Sequence, residues 1–151
     1  MRTLLLAALL GTTVIAGSAQ AAVIVGNYGS LGPDGVVTAP PGGSSYGYVS
    51  TNGGVVGAGT IAGVGNKDVG DTSTDMAGSS FQSDPFTAGI NDILRFQFNY
   101  VTSDGSGFAD YGWAELRNAG DDSHVAWLFT GRTQPSGDIA PGFGLPGLDA
   151  T

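Results

Sequence analysis

Carboxylates are the most abundant groups in this chain that could do chemistry. Thirteen acids, twelve Asp and one Glu, face five Lys and Arg together and a single His. Asp104 and Asp110 flank one loop, and Glu115 follows on the next predicted strand. Two chemistries suit such a set. Glycoside hydrolysis needs two carboxyls about 5–9.5 Å apart across a cleft, one of them held protonated. Calcium takes roughly six to eight oxygen ligands from Asp-rich loops. Asp104 with Asp110 is the candidate Ca²⁺ pair, and Asp121–Asp122 and Asp68–Asp71–Asp75 are further oxygen clusters. None has the D-x-D-x-D-G spacing of a dedicated calcium loop. Loop Asp also has a plain role, bonding nearby backbone in turns. The lone His124 opens a predicted strand, which suits a half-exposed structural histidine better than a general base, since catalysis must align several groups. With no cysteine and no second histidine, thiolate sites, disulfides and zinc tetrads are excluded.

Two Gly-rich words imitate catalytic motifs. Gly57-Ala58-Gly59-Thr60-Ile61-Ala62 fits a dinucleotide fingerprint, which requires a helix N-terminus directly afterwards to hold pyrophosphate. Gly63, Gly65 and Gly70 follow instead. Gly43-Ser44-Ser45-Tyr46-Gly47 fits a nucleophile elbow, which needs a strand before the Ser and a helix after it. Pro40-Pro41-Gly42 precedes it and a strand pattern follows. Both matches fail on context. Tyr46, Tyr48, Tyr111, Trp113 and Trp127 have the flat faces that stack on sugar rings. Tyr111 and Trp113, beside the Asp104–Asp110 loop, are the candidate glycan contacts, although the same spacing also serves sheet-face packing.

The elements that must position these residues are strands. Leu94, Phe96, Phe98 and Tyr100 alternate with Arg95, Gln97 and Asn99, the period of a strand with one buried face. Tyr111 to Leu116 alternates with apolar bulk on both faces, and Val125 to Phe129 is a continuous apolar run suited to a strand covered on both sides. Earlier in the chain, Ala22 to Asn27, Tyr46 to Thr51 and Ser79 to Phe86 read as strands. Pro33-Asp34-Gly35 predicts a type I or II turn. Asn52-Gly53 predicts a hairpin that lets Val55-Val56 pair back on the Tyr46 strand. Gly57 to Gly78 has no sustained period and reads as a long loop of the kind usually kept for function. The 27 Gly and 7 Pro disfavour long helices, since each interior Gly costs about 1 kcal/mol against Ala.

Residues 1–21 have the form of a secretory leader: Arg2, an apolar run from Leu4 to Ala16, and Ala19-Gln20-Ala21 for cleavage after Ala21. No second hydrophobic span follows. Residues 22–151 remain, enough for one domain. Loss of Arg2 takes the net charge from −8 to −9, which repels nucleic acid and anionic membrane surfaces.

Several words carry a resemblance to a known family: Tyr46-Gly47-Tyr48-Val49-Ser50-Thr51-Asn52-Gly53-Gly54, Ser79 to Phe86, Phe98-Asn99-Tyr100-Val101-Thr102-Ser103-Asp104-Gly105 and Ala109-Asp110-Tyr111-Gly112-Trp113-Ala114. Over residues 26 to 147 the chain resembles the exported β-sandwich proteins that usually end in a PEP-CTERM sorting tail, found in exopolysaccharide-producing Gram-negative bacteria. The resemblance implies a jelly-roll-like domain held at the cell surface or in the extracellular matrix, and it implies no particular chemistry. Such proteins normally continue past the position of Gly147 into a Val-Pro-Glu-Pro motif, a hydrophobic helix and a basic end. None of these is present, so the expected sandwich is incomplete at its C-terminus and the chain looks like a fragment.

The sequence therefore predicts an all-β, jelly-roll-like sandwich behind a cleavable signal peptide. The expected role is that of a secreted, non-enzymatic surface or matrix protein contacting extracellular polysaccharide, with Ca²⁺ as the candidate cofactor. The alternative is a carbohydrate-active hydrolase using Asp104, Asp110 or Glu115.

Overall fold

The computed structural model describes residues 22–71, 76–102, 107–134, 139–140 and 144–149. The leader therefore lies outside the described residues, as do Asp75, Asp104 and Phe143. The chain is all-β, with no helix among the described residues and hence none long and apolar enough to cross a membrane. Among the described residues, nine strands form four small antiparallel sheets.

The first half builds three two-stranded sheets. β1 (Val23–Val25) pairs with β6 (Ser80–Gln82), β2 (Asn27–Leu31) with β3 (Tyr46–Ser50), and β4 (Val55–Val56) with β5 (Ala77–Gly78). The Asn52-Gly53 turn forms as expected, with Gly53 at φ 76° and Gly54 N bonded to Thr51 O at 2.9 Å. Val55-Val56 does not fold back on β3, however. β3 is taken by β2, and β4 finds β5 some twenty residues downstream. The turn before Val37 is also different in kind. Asp34 and Val37 exchange two backbone bonds of 3.0 Å across Gly35-Val36, with Gly35 at φ 56°, so glycine rather than proline sets the first central position.

Ser79 knots these sheets together. Its Oγ accepts from Asn27 N at 2.7 Å and donates to Ser50 O at 2.6 Å, so the break between β5 and β6 is tied to both strands of the neighbouring sheet. Gly26, between β1 and β2, takes φ 78°. A Cβ there would collide with Ser79 Oγ and lie 2.8 Å from Gly78 O, so only glycine allows this crossing. Tyr28 stacks flat on Phe81 (4.6 Å, 9°) beside it.

The second half is one three-stranded sheet, β7 (Tyr111–Arg117), β8 (His124–Thr133) and β9 (Ile139–Ala140), in the order β7-β8-β9. β7 and β8 coincide with the two strong strand patterns. β8 runs beyond the apolar run to Thr133, and its last four residues are fully buried although three of them are polar or Gly-flanking: Thr130, Arg132 and Thr133. Register places Tyr111 beside Arg132, Trp113 beside Thr130 and Glu115 beside Trp127 on one face; Gly112–Gly131, Ala114–Phe129 and Leu116–Ala126 lie on the other. Two register shifts, at Ala114/Glu115 and Leu116/Arg117, bend the ladder.

The expected strand over Leu94 to Tyr100 does not form. The stretch is extended, but it joins no ladder, and Leu94, Phe96 and Phe98 stay 48%, 41% and 55% exposed. Its end packs against the second face of the β7–β8 pair, where Phe98 meets the Phe129 ring at 4.1 Å and Tyr100 Oη donates to Asp110 O at 2.6 Å. Of apolar side chains, only Ile61, Ala109 and Leu145 are buried among the described residues.

Candidate functional site

Asp110 immediately precedes β7, and its backbone fixes it. Its carbonyl accepts from Thr133 N at 3.1 Å and from Tyr100 Oη at 2.6 Å. Its carboxylate points away from the ladder, where Oδ2 accepts from Thr51 Oγ1 at 3.2 Å. One residue on, Tyr111 turns to the opposite side. There its ring lies under the Arg132 guanidinium, 4.7 Å from centroid to Cζ, a cation–π contact between ladder neighbours.

The Gly57–Gly65 loop closes over this face. Tyr111 Oη accepts from Ile61 N at 3.1 Å and Trp113 Nε1 donates to Gly59 O at 2.8 Å. Gly59 has φ 63°, and a Cβ there would sit 2.6 Å from Ser79 O; the loop backbone approaches β5–β6 as closely as chemistry allows. Further along, Arg132 donates from a terminal guanidinium nitrogen to Gly65 O at 2.9 Å. The next residues fold onto the chain just before β7. Asp68 Oδ1 accepts from the buried Ala109 N at 2.6 Å, and Val69 N donates to Gly107 O at 2.7 Å. Asn66 braces the bend, accepting from Asp68 N and donating to Asp71 Oδ2, both at 2.9 Å.

The result is a recess of about 170 Å³ whose walls include Thr51, Asn66, Asp68, Asp71, Asp110 and Arg132, with Tyr111 alongside. Arg132 is 0% exposed. Burial lowers its pKa from the ordinary arginine value, while Tyr111, Tyr100, Asp68 and Asp110 pull the other way. It remains a cation, as arginine does in proteins. The recess thus sets carboxylates, an amide and a hydroxyl beside one fixed positive charge.

A second polar group occupies the far end of the same sheet. Glu115, with its side chain 6% exposed, binds His124 Nδ1 through Oε1 (2.7 Å) and Arg117 Nε through Oε2 (3.3 Å). Arg117 continues to Asp122 at 2.6 Å, and His124 Nε2 lies 3.4 Å from Asp149 Oδ2. Trp127 stands beside His124 (5.0 Å) and meets Trp113 edge-on (5.8 Å).

Asp110 and Glu115 are not brought together. Asp110 precedes β7 and Glu115 lies two residues before its end, about 16 Å of chain apart at about 3.3 Å per residue, well beyond the carboxyl spacing of a glycosidase. Asp104 lies outside the described residues. Instead, Asp110 meets Asp68 and Asp71, which the sequence had set in a separate cluster. Among the described residues, no three Asp, Glu or His side chains converge in metal-holding geometry. Tyr111 and Trp113 share one face as expected, with their polar atoms turned to the covering loop. His124 is half-exposed, as its position implied, and the structure adds its contact with Glu115. Glu115 and His124 were marked singly, but their pairing with each other and with Asp149 was not, and Arg132 carried no signal beyond a cation placed just after a strongly apolar strand. No protein-family model matches the chain, and no curated protein or solved structure matches it.

Proposed function

We propose that this is an exported, non-enzymatic surface or matrix protein whose recess beside β7 and β8 contacts extracellular polysaccharide. The observation that carries the proposal is the convergence of Asp68, Asp71, Asp110 and Asn66 with Arg132 and Tyr111 around one small polar cavity. Sugar hydroxyls both donate and accept, and this lining offers both. The guanidinium beside the carboxylates opposes a bare divalent cation and suits a neutral polyhydroxyl ligand. At about 170 Å³ the recess is below the roughly 300 Å³ at which drug-sized ligands begin to fit, so it suits one sugar unit or a chain end. The jelly-roll-like sandwich belongs to the same proposal, supported by the layers lying on both faces of the β7–β8 pair. Export and surface placement rest on the leader-like residues 1–21 and on the resemblance to the PEP-CTERM-associated proteins.

Ca²⁺ held by Asp104 with Asp110 is the competing reading of these carboxylates, and a thermal midpoint unmoved by millimolar Ca²⁺ removes it. A glycan array and a hydrolysis assay on the same polymers test the rest. Binding without turnover, lost in Asp68→Asn and Asp110→Asn, is the expected result. Turnover abolished by Asp110→Asn would replace binding with hydrolysis.

A further inference from the structure

Residues Ile93 to Asn99 have a strand's alternation without a strand's hydrogen bonds. Asp92 N closes the preceding turn onto Gly89 O at 3.2 Å. Beyond it, no backbone N–H or C=O from Ile93 to Asn99 has a partner among the described residues. The side chains are equally open, with Ile93 77%, Phe98 55% and Val101 51% exposed. Leu94 and Phe96 are also exposed, at 48% and 41%, an apolar run of the kind that marks an interaction site. Phe98 on Phe129 and Tyr100 on Asp110 pin the end of the segment to the sheet. Its edge is left as a template for another strand.

The order of residues selects the occupant. Ile93-Leu94-Arg95-Phe96-Gln97-Phe98-Asn99-Tyr100-Val101 reads the same in residue class from either end, with Gln97 at its centre. We propose that this stretch is the seam of a two-fold homodimer, in which two copies pair antiparallel with Gln97 opposite the partner's Gln97. Phe96 then faces the partner's Phe98, Leu94 the partner's Tyr100, Ile93 the partner's Val101 and Arg95 the partner's Asn99. Every pair is apolar with apolar or polar with polar. Moving the centre to Phe96 sets Ile93 against the partner's Asn99, and moving it to Arg95 opposes two cations. The nine residues hold no acid in a chain of net charge −8, so two copies meet here without carboxylates opposed across the seam. A contact of this kind is isologous and closed, ending at two chains.

Cysteine crosslinking tests both the partner and the register, because the chain has no thiol of its own. Opposed Cα atoms in an antiparallel pair lie about 4.5–5.5 Å apart, within the span of a disulfide. Gln97→Cys is expected to oxidise to a covalent dimer. Arg95→Cys and Asn99→Cys are each expected to remain monomeric on non-reducing gels and to crosslink when mixed. Sedimentation of the unmodified chain is expected to give twice the chain mass, falling to one chain in Gln97→Pro. A single-chain mass at every concentration overturns the proposal, as does crosslinking of Arg95→Cys with itself or a dimer indifferent to Gln97→Pro. If Gln97→Pro loses the β-type circular dichroism of the parent, the three cysteine variants decide alone.

Discussion

Arg132 is the side chain on which the recess and the second sheet both depend, and its removal gives the sharpest test of the structure. Arg132→Ala deletes three things at once. The charged hydrogen bond to Gly65 O (2.9 Å) is worth about 1.5–3 kcal/mol. The stack on Tyr111 (4.7 Å) is worth about 0.5–2 kcal/mol. Emptying a fully buried position adds a cavity cost. These terms share atoms and do not sum, so the expected loss is about 3–5 kcal/mol, the range for breaking a buried charged contact. A domain of this length holds on the order of 10 kcal/mol in total, and the substitution should lower the thermal midpoint by roughly 10–20 °C. Arg132→Met restores most of the volume without the charge, and Arg132→Lys keeps the charge without the planar fork. Urea titrations followed by circular dichroism should rank them Ala worst, then Met, then Lys. A loss below about 1 kcal/mol in Arg132→Ala, or Met worse than Ala, would refute the placement of this side chain.

Other substitutions probe separate joints. Asp68→Ala leaves the buried Ala109 N–H without its 2.6 Å acceptor and should cost about 1–3 kcal/mol in denaturant titration, with Asp68→Asn largely restoring it. Ser79→Ala breaks both bonds that tie the β5–β6 junction to β2 and β3; a loss of about 1–3 kcal/mol is expected, with hydrogen exchange accelerated in the first-half sheets before the β7–β8 pair. The Asp121 carboxyl is held below its ordinary pKa, first by the Ser123 hydroxyl and then by the Ser123 amide. Because the folded value is the lower one, its contribution is present above about pH 4 and disappears as pH falls through the folded value. An NMR titration should show that carboxyl titrating below a model Asp, and the shift should shrink in Ser123→Ala, which removes the hydroxyl and keeps the amide.

What could be read beforehand was sidedness, and what could not was partnership. The alternation from Tyr111 and the apolar run from Val125 located β7 and β8, because a buried strand of that length leaves few other options. The same alternation over Leu94 to Tyr100 marked an extended segment but said nothing of whether a neighbouring strand would bond to it. Val55-Val56 failed for a related reason. A strong turn at Asn52-Gly53 encourages local pairing, yet β3 pairs with β2 and β4 with β5, a choice of partners made by segments far from the turn. The recess was half legible: a long Asp-bearing loop and a loop-flanking Asp110 were both marked as candidates. Their meeting depends on the Asp68–Ala109 bond across 41 residues, which no local pattern encodes. Arg132 was invisible because sequence rules place arginine at the surface, and only its ladder position beside Tyr111 makes its burial intelligible.

The sparse apolar interior has a thermodynamic consequence. Among the described residues its largest fully enclosed side chains are Thr130, Arg132 and Thr133, and hydrating polar groups lowers the heat capacity of unfolding where hydrating hydrocarbon raises it. The increment on melting should therefore fall below the usual figure of about 12–15 cal/mol/K per residue. Free energy then changes little with temperature, so folding persists over a broad thermal span at modest depth.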